Sequence, residues 1–298
     1  MKRRKTMICL IVAAVALALV LPGFYNALTV TRYTVRTPGI ARSVRIALVT
    51  DLHSCAYGDG QRELLEAVQR ESPDLVLMAG DIFDDDLPDD NAIAFLTEAG
   101  RRWPCYYVTG NHEYWGGEEA FYAKMDALKS ANVTRLSGTA VRTEAGGGAV
   151  LLCGADDPEA WNEREESYQE RQDGSFGRQL TYLARRAKDE GCFSILLTHR
   201  PEHLDMYVRR GFDLVVSGHA HGGQWRVPGL INGLWAPGQG LFPAHAGGLY
   251  RQEGTTMIVS RGLARESTAI PRWYNRPELV MIELVPADRQ TDPEQRHD

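Results

Sequence analysis

Apolar and polar positions divide the chain into two unequal parts. After residue 44, short apolar runs alternate with amphipathic segments, a pattern typical of strands separated by crossover helices in an α/β layered fold. The predicted strands lie at 45–49, 75–78, 106–108, 150–153, 193–197, 214–216, 257–259 and 279–284, and the predicted helices at 61–70, 91–99 and 118–129. No Pro- or Ser-rich linker interrupts the pattern, so we predict one domain over residues 44–284 and a polar tail at 285–298.

Polar side chains stand just past the ends of these apolar runs. They are Asp51 and His53 after the first strand, Asp81 after the second, Asn111 and His112 after the third, His199 after 193–197, and His219 and His221 after 214–216. In open α/β sheets, ligands bind beyond the carboxyl ends of the strands. We therefore expect these side chains to converge, although they lie far apart in the sequence.

The chain before residue 44 carries a different pattern. Basic residues at 2–5 precede an apolar run from 7 to 21, which is typical of a secretory signal or a signal anchor. No small-x-small cleavage site stands out before Thr31, so residues 1–30 are predicted to be an anchor in the bacterial cytoplasmic membrane. A cleaved signal peptide and secretion are the alternative. Because basic flanks stay in the cytoplasm, the folded domain is expected outside it.

Composition narrows the class of partner. The 298 residues carry a net charge of -6, and 24% of them are charged, which is ordinary for a soluble domain. Bulk nucleic acid is disfavoured, since affinity for its backbone needs clustered Lys and Arg. A phosphorylated small-molecule or lipid substrate fits better. The five cysteines form no CxxC pair, so neither a zinc ribbon nor a disulfide framework is indicated, and the oligomeric state stays open.

The residues past the strand ends are of the types that bind divalent metals. Histidine nitrogens combined with carboxylate and carboxamide oxygens suit manganese, iron or zinc. In Asp51-Leu52-His53 and His219-Ala220-His221, alternate residues of an extended segment project to one face, so each pair can clamp one ion. A carboxylate between such pairs, as Asp81 would be, can bridge two ions about 3.5–4 Å apart. A lone histidine at a strand end is more often structural, but this ordered set predicts a two-metal site.

Five motifs in order resemble the calcineurin-like metallophosphoesterases over about residues 44–284. The motifs are Thr50-Asp51-Leu52-His53, Gly80-Asp81-Ile82-Phe83-Asp84, Gly110-Asn111-His112-Glu113, Thr198-His199 and Gly218-His219-Ala220-His221-Gly222-Gly223-Gln224. The last motif, with Ser260-Arg261-Gly262, is similar to the membrane-anchored bacterial phosphodiesterase branch. The resemblance implies a four-layer α/β/β/α sandwich.

The resemblance also implies a role for each matching residue. The implied ligands are Asp51, His53 and His221 for the first metal, Asn111, His199 and His219 for the second, and Asp81 between them. His112 would face the leaving group as general acid, and Asp84 would orient it. The implied reaction is in-line attack on phosphorus by a hydroxide that bridges two divalent ions, with His112 donating a proton to the departing alkoxide.

Two residues depart from the family pattern. Glu113 stands where many relatives have Asp, which is expected to change hydrogen bonds around the ligands rather than the chemistry. Asp85 stands where the Ser/Thr protein phosphatases carry a phosphate-binding Arg, so that activity is disfavoured. The favoured function is hydrolysis of a phosphodiester or pyrophosphate, with a lipid or envelope component as one candidate substrate.

Three other functions stay open. Hydrolysis of UDP-2,3-diacylglucosamine in lipid A synthesis is implied by similar membrane-associated enzymes, but a cytoplasmic substrate conflicts with the inferred orientation. A non-catalytic scaffold would have lost ligands or the acid histidine, and none is missing here. A monoester phosphatase would need an arginine clamp, for which Arg200 and Arg261 are candidates. Trp161 and Trp225 are candidates either for substrate contact or for packing.

Overall fold

An apolar helix precedes the folded domain. The computed structural model describes residues 2–161, 175–265 and 270–287, beginning with helix α1 at Lys2–Val20. The side chains of residues 3–20 are exposed, and the stretch Arg3–Phe24 is long and apolar enough to cross a membrane. Signal sequences near an amino terminus meet the same criterion, so this helix alone is weak evidence for an anchor.

Two six-stranded sheets form the centre of the domain. The strands are β1 Thr29–Thr37, β2 Val44–Val49, β3 Leu75–Ala79, β4 Cys105–Val108, β5 Thr134–Arg135, β6 Thr139–Ala145, β7 Gly148–Gly154, β8 Phe193–Leu197, β9 Leu214–Ser217, β10 Trp235–Ala236, β11 Gly240–Leu241, β12 Gly248–Gln252, β13 Thr255–Val259 and β14 Glu278–Pro286. The first sheet has the order β1-β14-β2-β3-β4-β5 and the second β12-β13-β9-β8-β7-β6, while β10 and β11 form a separate hairpin. Strands β2 to β4 run parallel, as do β7 to β9, so their carboxyl ends lie at the same edge of each sheet.

Helices cover the outer face of each sheet. In the described part of the domain they are α2 Arg62–Glu71, α3 Asp90–Arg102, α4 His112–Trp115, α5 Gly117–Ser130, α6 Ser175–Glu190 and α7 Leu204–Val208. Helices α2, α3 and α5 pack on the first sheet, and α6 and α7 on the second. The layers arise because successive side chains of a strand point to opposite faces of the sheet. In β2, Ile46 and Leu48 pack in the core between the two sheets, while Ala47 and Val49 pack in the core under the helices. The implied α/β/β/α sandwich is confirmed.

The sequence pattern found the central strands but missed the edges of the sheets. Every predicted strand and helix is present, whereas several other elements were not predicted, among them β1, β5, β6, α4, α6 and α7. Strand β1 has the sequence TVTRYTVRT and only part of it is buried, so it lacks an apolar run. It pairs in parallel with β14, and the sheet therefore begins before the predicted domain start at residue 44. The predicted tail at 285–298 overlaps the end of β14, and residues 288–298 lie outside the described residues.

Candidate metal centre

The polar residues that follow β2, β3, β4, β8 and β9 come together at the edge where the two sheets meet. We call the following seven residues the metal centre: Asp51, His53, Asp81, Asn111, His199, His219 and His221. Six of them are at most 3% exposed, and His221 is partly exposed. Carboxylates and histidines are rarely buried without charged partners or a metal, so this cluster requires a chemical explanation.

Two groups of possible ligand atoms share one carboxylate. Asp51, His53 and His221 form one group and Asp81, His199 and His219 another, and within each group the atoms lie within 4.8 Å of one another. In the second group Asp81 Oδ2 lies 3.0 Å from His199 Nε2. The same Oδ2 atom lies 3.6 Å from His53 Nε2 in the first group. Asp81 thus occupies the position between the groups.

Asn111 reaches the same place through the loop after β4. His112 N donates a hydrogen bond of 2.9 Å to Asp81 Oδ1, which fixes this loop against the central carboxylate. Asn111 itself is 2% exposed, and its Oδ1 atom has no hydrogen-bond partner. A buried amide oxygen without a partner beside two histidine groups is a suitable donor to a cation.

Unpaired buried atoms test whether the centre fits divalent metals. Four of the seven residues carry such an atom: Asp51 Oδ2, His53 Nε2, Asn111 Oδ1 and His221 Nδ1. Each unpaired buried polar group costs about 1–3 kcal/mol, and native proteins tolerate few of them. Divalent ions would pair several of these atoms at once. The donor set of carboxylate, carboxamide and imidazole therefore fits a metal site.

The backbone of the centre is strained. Five of the seven residues have φ between 47° and 66°, a left-handed conformation uncommon for residues other than glycine: Asp51, His53, Asp81, His219 and His221. Each costs on the order of 1–3 kcal/mol and persists where the surrounding structure enforces it, most often at functional sites. Two glycines allow the required close approach, since a Cβ on Gly110 would lie 2.2 Å from Asp81 Oδ1 and one on Gly218 2.4 Å from Asp51 Oδ2.

Two histidines of the metal centre, His219 and His221, have lowered pKa values. Burial lowers the pKa of His219 well below its usual range, and the nearby Arg200 guanidinium lowers it further. Burial also lowers the pKa of His221 well below its usual range, and the neighbouring His53 lowers it further. At neutral pH both imidazoles are therefore uncharged, the form in which histidine binds metals. Burial also lowers the pKa of His199, but the Asp81 carboxylate outweighs it and raises that pKa to about 10. A divalent ion between the two side chains would replace the shared proton.

The partner of His112 differs from the expectation. His112 Nδ1 lies 2.5 Å from Asp85 Oδ1 and 3.9 Å from Asp84 Oδ2. Asp84 instead lies 2.9 Å from His53 Nδ1. Its other oxygen accepts hydrogen bonds from the backbone nitrogens of Asp86 and Leu87, which turns Oδ2 toward His53. We therefore reassign the role of orienting His112 from Asp84 to Asp85. Asp84 instead holds the ring of His53, which is one of the predicted metal ligands.

Glu113 holds two ligand loops together. Its carboxylate is fully buried and accepts hydrogen bonds from the backbone nitrogens of Asp81, Phe83 and Gly110. Burial raises its pKa, and the negative charge of Asp81 adds to the effect. The expectation that Glu113 affects hydrogen bonding around the ligands agrees with these contacts. It joins the loop after β3, which carries Asp81, to the loop after β4.

Both candidate arginines are engaged in other contacts. Arg200 Nε and Nη2 donate to the two carboxylate oxygens of Asp157, at 2.6 and 2.8 Å, and Arg200 Nη1 lies 3.1 Å from His219 Nε2. Arg261 Nη2 donates to Glu278 Oε1 at 2.9 Å. Sequence reasoning missed Asp157, because no motif includes it. The Asp157–Arg200 pair packs against His219 and restricts the position of that ring.

An apolar cavity opens beside the metal centre. Its volume is about 430 Å³, and its lining includes His112, His221, Trp225, Leu234, Trp235 and Ile270. Trp225 was a candidate for substrate contact, and its place here agrees with that alternative. Trp161 is 37% exposed and is not part of this lining. The Trp115 ring, which is not part of this lining, contacts the His112 ring with centroids 4.3 Å apart.

Comparison with known proteins agrees with this geometry. The family model for calcineurin-like phosphoesterases matches residues 44–223, which include all seven residues of the metal centre and also His112 and Asp84. An uncharacterized metallophosphoesterase of Helicobacter pylori strain J99 is 28% identical over 276 residues, covering 90% of this chain and 67% of that protein. A bovine transmembrane protein with a metallophosphoesterase domain is 28% identical, covering 85% of this chain and 55% of that protein.

Among solved structures, the chain is similar in fold to GAP50, the anchor in the inner membrane complex of Plasmodium. The TM-score is 0.50 with 13% sequence identity, and the match covers 82% of each chain. Likeness at this identity concerns the fold alone. The chain spans about two thirds of the length of the Helicobacter relative and about half of the length of the bovine one.

Proposed function

Because the chain belongs to the calcineurin-like phosphoesterase family, we propose that it hydrolyses phosphodiester or pyrophosphate bonds with two divalent metal ions. The observation that carries this proposal is the position of Asp81, whose Oδ2 atom lies within 3.6 Å of histidines from both ligand groups. A shared carboxylate between two sets of ligands is the arrangement that two adjacent metal ions require. A single-metal site would not need both groups.

We assign the ligands by the groups in which they lie. Asp51, His53 and His221 would hold one ion, and His199 and His219 the other, with Asp81 shared. The family resemblance adds Asn111, whose buried Oδ1 has no hydrogen-bond partner, to the second set. Manganese, iron and zinc suit this mixture of nitrogen and oxygen donors. Such ions lower the pKa of water and neutralise charge on phosphoryl oxygens, which supplies the nucleophile and the electrostatic stabilisation of hydrolysis.

The protein itself supplies the proton for the leaving group. His112 is partly exposed, lines the apolar cavity and lies beside His53, with ring centroids 4.3 Å apart. Its Nδ1 contacts Asp85, so Nε2 is free to face a departing alkoxide. The Asp85 carboxylate fixes the orientation of the ring. His112 is thus proposed as the general acid and Asp85 as the residue that orients it.

The contacts of the arginines favour diesters over monoesters. A monoester carries a second negative charge, which enzymes commonly bind with an arginine fork. Arg200 and Arg261 each already bind a carboxylate, and the position after Asp84 is occupied by Asp85. An acid at that position repels the extra charge of a monoester. These contacts support a substrate whose phosphorus carries a single charge, such as a diester.

We further propose that α1 anchors the domain in the bacterial cytoplasmic membrane, with the domain outside the cytoplasm. Its length and apolar composition support a membrane span, and the basic residues at 2–5 support this orientation. Fusing a reporter active only in the periplasm or only in the cytoplasm to the carboxyl end tests it. Cytoplasmic reporter activity would contradict the assigned side.

A direct assay tests the enzymatic proposal. The full chain in detergent, loaded with Mn²⁺, is expected to hydrolyse bis-p-nitrophenyl phosphate at least about tenfold faster than p-nitrophenyl phosphate. The preference follows from the missing monoester clamp and the charge of Asp85. Complete inactivity toward both esters with manganese, iron and zinc would favour a non-catalytic scaffold. Faster hydrolysis of the monoester would contradict the assignment to diesters.

A further inference from the structure

We propose that the apolar cavity binds the hydrocarbon chain of an amphiphilic phosphate ester drawn from the membrane. This inference rests on the proposed hydrolase function and names its substrate class. The cavity shares His112 and His221 with the catalytic machinery, so a molecule with its phosphate at the metal centre would extend into it. Its volume of about 430 Å³ lies within the roughly 300–1,000 Å³ of small-molecule pockets.

The chemistry of the lining selects hydrocarbon. Apart from the two histidines and the amide of Gln224, the lining consists of apolar and aromatic side chains, among them Trp225, Leu234 and Ile270. Gln224 Nε2 donates to the backbone oxygen of Ile270. A nucleotide or sugar placed here would lose hydrogen bonds to water without replacement, which costs free energy. A hydrocarbon chain would gain free energy from burial, about 0.8 kcal/mol per methylene.

The surface around the cavity is also apolar. We call the following set of exposed side chains the apolar surface: Trp225, Leu230, Trp235, Leu241 and Phe242. Their exposed fractions range from 40% to 84%, and they lie within one stretch of eighteen residues, 225–242. Clustered exposed apolar side chains mark sites that contact a partner or a membrane, and tryptophan favours the membrane interface.

The end of the apolar helix lies beside this surface. The segment 270–274 pairs with the loop that carries Trp225, since Arg226 N donates to Trp273 O at 3.0 Å and Trp225 Nε1 to Pro271 O at 2.9 Å. The same segment holds the end of α1, because Trp273 Nε1 donates to Val20 O at 3.0 Å and Tyr274 Oη to Leu19 O at 2.6 Å. One short segment therefore connects the wall of the cavity to the point where α1 ends.

These contacts indicate that the hydrocarbon chain comes from the membrane. If α1 lies in a bilayer, its last turn is at the interface, and the apolar surface and the cavity are at the same level. An amphiphile in that bilayer has its phosphate at the interface and its hydrocarbon in the membrane. It could enter the cavity from the side without passing its chain through water. A membrane lipid or a polyprenyl phosphate derivative has this chemistry.

Inhibition by two alkyl phosphates tests the proposal. In the assay, the full chain in phosphatidylcholine nanodiscs acts on bis-p-nitrophenyl phosphate, while two singly charged diesters, dimethyl phosphate and methyl dodecyl phosphate, compete with it below the micelle concentration. Both carry the same phosphate, so the ratio of their inhibition constants reports on the hydrocarbon chain. Methyl dodecyl phosphate is expected to inhibit at least about tenfold more strongly than dimethyl phosphate, since two or more methylenes become buried.

Variants distinguish binding of the inhibitor in the cavity from its simple partition into the nanodisc. Ile270→Ser and Trp235→Ser are each expected to reduce the ratio at least about fivefold, because they replace a cavity wall with a polar group. Ile93→Ser makes the same change at an exposed position on α3, where the side chain is 41% exposed, and should leave the ratio unchanged. Unchanged manganese content shows that each variant is folded.

The outcomes distinguish this inference from the proposed function. Equal inhibition by both phosphates, or equal ratios in all variants, would overturn the hydrocarbon site while hydrolysis itself remained. Absence of any hydrolysis by the wild type would instead contradict the enzymatic proposal. A lower ratio in both cavity variants and not in Ile93→Ser would support a hydrocarbon-binding site.

Discussion

The metal centre and the apolar surface adjoin each other and are built in opposite ways. The metal centre is buried and polar, and its residues follow the ends of strands from both sheets. The apolar surface is exposed and comes from a single stretch of loop and short hairpin after β9. The apolar cavity adjoins both, because its lining includes His221 of the metal centre and Trp225 and Trp235 of the apolar surface. Catalytic groups that need a fixed geometry thus lie on the rigid sheets, and groups that select a substrate lie on a loop.

Removing the shared carboxylate should have the largest effect. Asp81→Ala is expected to abolish hydrolysis and to lower metal affinity by more than about 100-fold, which exceeds the usual cost of losing a residue that only supports a ligand. Metal content after dialysis and hydrolysis of bis-p-nitrophenyl phosphate measure this. Asp126→Ala, at an exposed position of α5, is the matched control and should behave as wild type. Retention of two ions by Asp81→Ala would contradict the bridging assignment.

Replacing His112 should separate catalysis from metal binding. His112→Gln is expected to reduce the rate by about 10²–10⁴-fold while both ions stay bound, because a general acid acts on the leaving group and not on the metal. The loss should be greatest for diesters with poor leaving groups, so a series of phenols of rising pKa measures the role. If the variant loses metal, or if the loss is the same for every leaving group, His112 is not the acid.

Two neighbouring carboxylates provide the next comparison. Asp84→Asn should weaken metal binding by about 10–100-fold, because Asp84 holds the ring of His53. Asp85→Asn should leave metal affinity unchanged and make the rate fall with poor leaving groups, because Asp85 contacts His112. Metal titration and the leaving-group series, applied to both variants, measure the difference. The reverse result would restore the original assignment of Asp84 to His112.

The chemistry of the metal centre could be predicted because its residues are of unusual types at recognisable places. Strands β2, β3, β4, β8 and β9 end in apolar runs, and Asp, Asn or His follows each of them. A buried polar residue at a strand end is informative, and repetition in the same order along the chain makes the pattern specific. The assignment of each residue to the first or the second metal came from the family resemblance, because the spacing of residues in a single sequence does not show which loops lie together.

The parts that escaped prediction depend on backbone detail. Whether Asp84 or Asp85 contacts His112 is decided by the turn in which Asp84 accepts hydrogen bonds from Asp86 N and Leu87 N, and the order of the residues does not reveal it. The apolar cavity is assembled from segments near 225, 235 and 270, whose scattered aromatic residues carry no periodicity. The left-handed conformations of Asp51 and His219 are likewise enforced by tertiary contacts.

The buried hydrogen bonds of Glu113, beside the metal centre, should stabilise the fold as well as position the ligand loops. Glu113→Gln is expected to lower the free energy of unfolding by about 1–3 kcal/mol. Both carboxylate oxygens accept backbone N–H groups, so in either orientation the amide nitrogen would face a donor. Glu98→Gln is the matched control on the surface, where ion pairs contribute about 1 kcal/mol or less. Urea unfolding of both variants measures the difference, and equal losses would contradict the role of Glu113.

The smallest effect on stability is expected in the apolar surface. The Phe242 side chain is 65% exposed, so Phe242→Ser removes little buried area and should change the free energy of unfolding by less than about 0.5 kcal/mol. Its effect should appear in phosphatidylcholine nanodiscs as faster hydrogen exchange of residues 225–242, because an exposed aromatic side chain gains free energy by entering the interface and holds this stretch there. Tyr182→Ser, on α6 with 51% exposure, removes a similar ring outside the apolar surface and should not alter this exchange. A loss of stability above about 1 kcal/mol for Phe242→Ser would mean that this ring is held by packing, and the contrast between a buried catalytic centre and an exposed surface for membrane contact would not hold.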